Sequence, residues 1–333
     1  MNREKQILVA GAGSAGQRHG QNLGKLGCVV SYYDPRADRV EEAAAGNPAA
    51  GRFTDFDAAL ADRQWDGVVI ASPPNFHVDQ ILQFLEGQSC PVLSEKPLSI
   101  DAVSAARLIE HSQRILLGYT YRWWPPLSAY REQLQEGIIG PIRNMRFVMS
   151  AHLADWHPWE PYQDFFMAHK GLGGGALLDE SHFIDLMLWF LGSPDSVFAS
   201  VDQISDLDID SDDNVEILVS YASGERVNLH LDLIGRPHER SITAVGEKGS
   251  LVYSYEDNVI LHGTRGEKVW DRQPFEGERN DMFMGVARDY IDMIDGRLTA
   301  KRCSVEDGVA ALRIVDACRL SSAEGRKVRL DNP

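Results

Sequence analysis

The sequence predicts an α/β chain in two parts. Residues 1–121 read as a doubly wound parallel sheet, and residues 122–333 as an α+β domain built on a large mixed or antiparallel sheet. Three observations carry this. A short apolar run leads straight into a G-x-G-x-x-G turn, strand and helix signals then alternate as far as about residue 120, and beyond that point strand signals follow one another with few helices between them.

The first run, 6–10, is apolar and short, as a buried strand should be, and it ends at Gly11, Gly13 and Gly16. Gly11 permits the tight turn and Gly13 lets backbone approach a pyrophosphate. Gly16 lets the helix-like stretch 17–26 sit close to its strand, and Ser14 and Ala15 open that helix where its N-terminus would face phosphates. A second strand, 28–33, ends in Asp34, whose carboxylate suits two free ribose hydroxyls. Together these make a Rossmann dinucleotide site for NAD rather than an ordinary glycine-rich β–α turn. Arg36 lies two residues after Asp34 and is the feature that would favour NADP.

Further on, 65–71 reads as a buried strand that stops at Ser72, Pro73 and Pro74, and 77–85 has helical spacing. The strand 90–94 ends at Glu95-Lys96-Pro97, Ser99 is placed to cap a helix through about 112, and 115–119 is the next strand. Ligands of open α/β sheets bind beyond the carboxyl ends of the strands, so these turns should share one edge with Gly11–Gly16. Ser72, Pro73, Asn75, His77, Glu95 and Lys96 therefore join the expected cofactor set.

The pattern changes at Trp123-Trp124-Pro125-Pro126. A helix over 127–136 stops at Gly137, and strands follow at 142–153, 196–204, 215–221, 226–234, 241–245 and 250–255, with a hairpin turn at Ser223-Gly224. Helices return over 281–294 and 304–323. The second begins on a capping-box-like Ser304 and Asp307 and stops at Gly325.

Charge and composition narrow the function. Lys and Arg number 33 against 49 Asp and Glu, a net charge of −16, which argues against nucleic acid and anionic membranes as partners. The four cysteines show no C-x-x-C spacing, so neither a disulfide framework nor a metal site is expected. No run approaches the ~18 apolar residues of a membrane span, and a cytoplasmic protein is expected.

Taken in order, Gly11 to Gly16, Asp34, Ser72-Pro73-Pro74-Asn75-Phe76-His77, Glu95-Lys96-Pro97, Gly118-Tyr119-Thr120-Tyr121-Arg122-Trp123 and the segment Gly173-Gly174-Gly175 through Asp179-Glu180-Ser181-His182 to Asp185 resemble the Gfo/Idh/MocA oxidoreductases. The resemblance covers nearly the whole chain. It implies that Lys96 contacts both substrate and nicotinamide ribose, that the peptide before Pro97 is cis, and that His182 and Asp179 are catalytic. The chain departs from the commonest family pattern in placing Asp179 three residues, not four, before His182. That offset leaves open whether Asp179 or Glu180 faces the site, while Asp185 aligns with a structural position.

The chemistry of these residues can be argued independently. Oxidising a secondary alcohol needs a hydride acceptor, a base for the hydroxyl proton, and a positive group at the developing alkoxide. Lys96 at the cofactor edge can be that positive group, although a Lys-Pro in a loop is often a solvated turn. His182 can be the base, although a histidine in an apolar helical run is often a core residue. Asp179, one helical turn earlier, can orient it.

The aromatic and polar stretch 151–162 suits a sugar or polyol ring, or alternatively a subunit contact. Arg122, Trp123, His157, Trp159 and Tyr162 join Lys96, Asp179 and His182 as expected substrate contacts, with His169, Lys170 and Arg236 as further candidates. The expected protein is an NAD(H)-dependent oxidoreductase of sugars, sugar derivatives or cyclic polyols, acting as a homodimer or homotetramer. A non-catalytic cofactor-bound sugar sensor and an NAD-assisted glycoside hydrolase of the same fold are the alternatives.

Overall fold

A computed structural model describes residues 3–47, 50–156 and 160–330 of the chain. Two compact units emerge, one formed by Met1–Trp123 with Arg279–Val309 and the other by Trp124–Glu278 with Ala310–Pro333.

The first unit holds six parallel strands: β1 (Gln6–Ala10), β2 (Val29–Tyr33), β3 (Arg52–Phe53), β4 (Gly67–Ile70), β5 (Val92–Glu95) and β6 (Ile115–Gly118), in the order β3-β2-β1-β4-β5-β6. The helices between them are α1 (Ser14–Lys25), α2 (Ala37–Ala44), α3 (Phe56–Ala61), α4 (Pro74–Gly87) and α5 (Ala102–Ala106). This is the Rossmann arrangement. Strands β4, β5 and β6 have no exposed residue, and β4, which lies inside the sheet, can be apolar because both of its faces are covered.

One expected helix differs. Ser99 is buried and caps nothing. Asp101 takes the role through its carboxylate and the Ser104 N–H at 2.8 Å, and α5 ends at Ala106 before a 3-10 segment Ile109–Arg114.

The sequence pattern places one boundary near residue 121, whereas residues 279–309 group with the first unit. They carry α9 (Asn280–Ile294). Its Tyr290 hydroxyl lies 2.8 Å from the carbonyls of Val68 and Pro91, and the Leu117 N–H donates to Cys303 O at 3.3 Å. Periodicity shows such a helix, but not which sheet it will cover.

The second unit is built on a nine-stranded mixed sheet. Its elements are α6 (Pro125–Gln135), β7 (Ile142–Ser150), α7 (Ala176–Asp179), α8 (Ser181–Leu191), β8 (Ser196–Asp202), β9 (Asn214–Ser220), β10 (Arg226–Asp232), β11 (Glu239–Gly246), β12 (Gly249–Ser254), β13 (Val259–Thr264), β14 (Asp271–Pro274) and β15 (Val328–Arg329). The strand order is β14-β13-β12-β11-β7-β10-β9-β8-β15, in which β7 and β10 run parallel and the other neighbours antiparallel. The last helix, α10 (Val305–Glu324), starts on the expected reciprocal cap: Ser304 N–H to Asp307 Oδ2 at 2.8 Å and Asp307 N–H to Ser304 Oγ at 3.3 Å.

Alternation decides which face of this sheet is buried. In β9, Val215, Ile217 and Val219 point inward, where α6, α7 and α8 cover the sheet, and Glu216 and Leu218 point out. On the outward face Phe198 and Leu218 are cross-strand partners and are 42% and 55% exposed. A paired apolar contact on a broad sheet predicts that a second copy of the chain covers this face. Light scattering at micromolar concentration is expected to give at least a dimer mass, and the pair F198E/L218E a lower one. A monomer mass for the unaltered protein would contradict the prediction.

Candidate active site

Within the first unit the strand order places the carboxyl ends of β2, β1, β4 and β5 along one edge, and the expected cofactor residues follow it. Gly11 has φ +99°, and a Cβ there would strike the Ala71 carbonyl; a Cβ on Gly16 would strike the Gly11 carbonyl. Both positions therefore admit only glycine. At Gly13 the space is open, the nearest atom to a Cβ being Arg39 Nη1 at 3.8 Å. Ser14 and Ala15 begin α1, whose N-terminus has no side-chain cap and no acidic residue in its first turn. A pyrophosphate fits such a surface, because its charge takes the unbonded N–H groups.

Asp34 is buried, with Oδ2 accepting from Ala12 N–H at 2.9 Å and Oδ1 from Arg36 N–H at 3.0 Å. Its carboxylate thus braces the glycine turn, while each oxygen keeps capacity for a ribose hydroxyl. The Arg36 guanidinium is drawn to Asp38, with Nη2 2.5 Å from Oδ2. Arg39 is a further basic side chain near the glycine turn that spacing alone does not single out. It lies on α2 beside the glycine turn, and among the described residues no hydrogen bond or ion pair holds its guanidinium. A basic residue in the first turns of the helix after Asp34 was the available signal.

At the end of β4, Ser72 Oγ donates to Gln80 at 2.6 Å, and Pro73 and Pro74 open α4. Asn75 Oδ1 is buried with no hydrogen-bond partner among the described residues, an acceptor suited to a donor on a bound cofactor.

His77 and Glu95, expected at the cofactor, have their polar atoms engaged by the protein. His77 is buried, with Nδ1 2.9 Å from Pro97 O and Nε2 2.7 Å from Ser72 O. Burial holds this imidazole below its ordinary pKa against the pull of the two carbonyls, so the neutral ring donates to one of them at a time. His77 thereby ties the turn after β5 to the turn after β4. Glu95 ends β5 with Oε1 2.5 Å from His19 Nε2 and Oε2 accepting the Lys96 N–H at 3.2 Å. Burial alone would raise the Glu95 carboxyl, but the His19 hydrogen bond and the nearby positive charges outweigh it and hold it below its ordinary value. Lys96 is partly exposed between these supports, and the Lys96–Pro97 peptide is cis, as the resemblance implied.

Arg122 and Trp123, expected to touch substrate, are buried. Arg122 Nη1 donates to Arg302 O at 2.8 Å and Nη2 lies 3.1 Å from Asp307, while the Trp123 indole N–H donates to Asp289 at 2.8 Å. Their polar groups anchor the segment that returns to the first unit.

In the second unit, Gly175 has φ +105° and a Cβ there would strike the Asp212 carboxylate. Asp212 in turn takes the Leu177 N–H at 2.8 Å and starts α7. Burial raises the Asp212 carboxyl. The expected single helix is broken. Asp179 ends α7, Glu180 sits at the break with φ −89° and ψ 17°, and His182 is the second residue of α8. Asp179, Glu180 and Asp185 are buried, and His182 is partly exposed.

Of the remaining candidates, the Tyr162 hydroxyl accepts the Asp208 N–H at 3.2 Å, and Arg236 forms a two-pronged pair with Asp155 at 2.7 and 2.8 Å. His169 and Lys170 are exposed. His157 and Trp159 lie outside the described residues. No group of three or more His, Cys, Asp or Glu suited to a metal occurs among the described residues. Nor, among them, is any helix long and apolar enough to cross a membrane.

Comparison with known proteins matches two family models. "Oxidoreductase family, NAD-binding Rossmann fold" covers residues 5–115, and "Oxidoreductase family, C-terminal alpha/beta domain" covers residues 131–330. A myo-inositol 2-dehydrogenase of Thermotoga maritima is 25% identical over 98% of this chain and 98% of its own. An inositol 2-dehydrogenase of Corynebacterium glutamicum is 31% identical, but the match spans only 44% of this chain and 45% of that protein. Among solved structures, a levoglucosan dehydrogenase in complex with NADH and levoglucosan superimposes with a TM-score of 0.85 over 99% of this chain and all of its own, at 18% identity, which shows a shared fold.

Proposed function

From the premise that this chain belongs to the Gfo/Idh/MocA oxidoreductase family and binds NAD, we propose that it transfers a hydride to or from a secondary alcohol carbon of a sugar, sugar derivative or cyclic polyol. The observation that carries the reading is Lys96. It stands at the carboxyl end of β5, on the same sheet edge as the glycine turn and Asp34, and two buried side chains support its turn. Relatives named as inositol dehydrogenases support the substrate class.

Bound NAD supplies the hydride acceptor. Gly11, Gly13, Ser14, Ala15 and Gly16 would hold its pyrophosphate, Asp34 its ribose, and Ser72, Pro73 and Asn75 would line the same edge. Lys96 binds the reacting oxygen and stabilises the negative charge that develops there. His182 takes the hydroxyl proton during oxidation and returns it during reduction, with Asp179 orienting the ring. Tyr162, His157 and Trp159 are proposed to contact the substrate. The acidic chain, net charge −16, is proposed to be cytoplasmic and to work as a homo-oligomer.

The test is a screen of sugars, nucleotide sugars and inositols for NADH formation. Sustained NADH production with one class is expected. Glycoside cleavage without net NADH, or binding without turnover, would replace the proposal by the NAD-assisted hydrolase or the sensor.

NAD is expected to bind at least ~10-fold more tightly than NADP, because a 2′-phosphate would face the Asp34 carboxylate and Arg36 is engaged by Asp38. Calorimetry on the unaltered protein checks this, and Asp34→Ala should weaken NAD binding and narrow the preference. Tighter NADP binding would make a basic side chain after Asp34, Arg36 or Arg39, the determinant.

A further inference from the structure

His19 lies on α1, directly behind the glycine turn, and is fully buried. Its ring meets Phe283 of α9 edge-on at 5.8 Å, and its Nε2 reaches Glu95 Oε1 at 2.5 Å. The other ring nitrogen, Nδ1, is buried with no hydrogen-bond partner among the described residues. The polar business of this imidazole is therefore with Glu95. The second oxygen of that carboxylate takes the backbone N–H of Lys96 at 3.2 Å. A chain of contacts thus runs from the helix behind the cofactor turn, through one carboxylate, to the residue read as the charge-bearing catalytic group.

Stability is a poor explanation for this arrangement. A buried imidazole–carboxylate pair gives back in desolvation much of what it gains in attraction, and two apolar side chains of similar volume would pack as well. What an apolar pair could not do is aim a carboxylate at the base of Lys96 and hold negative charge there.

We propose that His19 is a positioning residue for Lys96, acting through Glu95. It fixes the Glu95 carboxylate, which sets the direction of the Lys96 turn and supplies the anion beside its ammonium. The inference rests on reading Lys96 as the catalytic cation, and the experiment below separates the two. The titratable and charged groups facing the Glu95 carboxylate are His19 from α1, Lys96 next to it and His77 from α4; Phe283 of α9 meets the His19 ring and carries no charge. Without the His19 hydrogen bond the Glu95 carboxylate is no longer held toward the Lys96 turn, and in Glu95→Gln its negative charge is gone, so Lys96 loses the anion placed beside it. An ammonium without an adjacent anion is held less firmly in place, and its amine is then more open to an acylating reagent.

Lys96 can be followed without knowing the substrate. The full chain, saturated with NADH, is labelled with acetic anhydride at about pH 8, and acetylation of Lys96 is read by peptide mass spectrometry; NADH affinity is measured by fluorescence. In His19→Leu and in Glu95→Gln, Lys96 is expected to label about tenfold faster than in the unaltered protein, with NADH affinity changed less than ~3-fold. His19→Gln, which keeps a donor in reach of Glu95, should return labelling to within ~3-fold of the original. A purely structural histidine would lower thermal stability without this selective change or its rescue. Unchanged Lys96 labelling in His19→Leu overturns the proposal, as does unchanged labelling in Glu95→Gln should His19→Leu not fold. If labelling responds as expected while Lys96→Ala retains turnover, the positioning role stands and the catalytic reading of Lys96 is what fails.

Discussion

Lys96→Ala is expected to lower turnover by a factor of ~100 to 1,000 while leaving NAD affinity within ~3-fold. Truncating this side chain removes the ammonium but leaves the backbone supports of its turn in place. The backbone N–H of Lys96 remains bonded to Glu95 Oε2, the Pro97 carbonyl remains with His77, and the glycine turn has its own supports in Asp34 and Ala71. The loss should therefore fall on the step in which oxygen becomes negative, and show as a fall in kcat rather than a rise in the NAD dissociation constant. Lys96→Arg is a sharper probe. It keeps the charge but replaces a compact point charge by a broad planar fork, and should recover only part of the rate. Stopped-flow hydride transfer and NAD titration on the same preparations decide the matter. Turnover unchanged in Lys96→Ala would return Lys96 to the solvated-turn reading and remove the main support for the proposed function.

What was legible in the sequence follows a physical division. The strand, glycine turn and helix at 6–25 are local, and Gly16 and Asp34 act within one β–α–β unit, so their arrangement could be read from spacing alone, although the carbonyl that crowds Gly11 is that of Ala71, beyond β4. The capping box at Ser304 and Asp307 is local in the same way. Long-range partners were not legible. His19 and Glu95 are far apart in sequence and meet only because α1, packed against β1, β2 and β4, brings His19 to the end of β5, and nothing in the neighbourhood of His19 announces this. Arg122 is similar: a basic residue after an apolar strand suits a substrate anion, but its guanidinium is taken by Arg302 and Asp307. The break at Glu180 escaped for a different reason. Residues 176–191 are apolar enough to read as one helix, and hydrophobic periodicity cannot report a single residue that leaves helical geometry.

That break bears on the second large effect, at His182. Oxidation is expected to rise with pH through the titration of the imidazole, because only the neutral ring can accept the hydroxyl proton, and His182→Ala should flatten that limb while lowering the rate by ~100-fold or more. Reduction should show the opposite slope, since the protonated ring is then the donor. Asp179 was expected one turn before His182 on a single helix. Instead it closes α7, and the chain turns at Glu180 before α8 begins, so helical spacing no longer decides which acidic side chain stands near the histidine. Asp179→Asn should lower the rate less than His182→Ala and should act on kcat more than on KM, as expected of a residue that orients the base. Glu180→Gln is expected to be nearly silent in the pH profile. Rate–pH profiles of the three variants with one turned-over sugar or polyol separate the possibilities. If Glu180→Gln is more damaging than Asp179→Asn, Glu180 is the acidic partner. If His182→Ala keeps the rising limb, the base is another group and His182 belongs to the packing of α8.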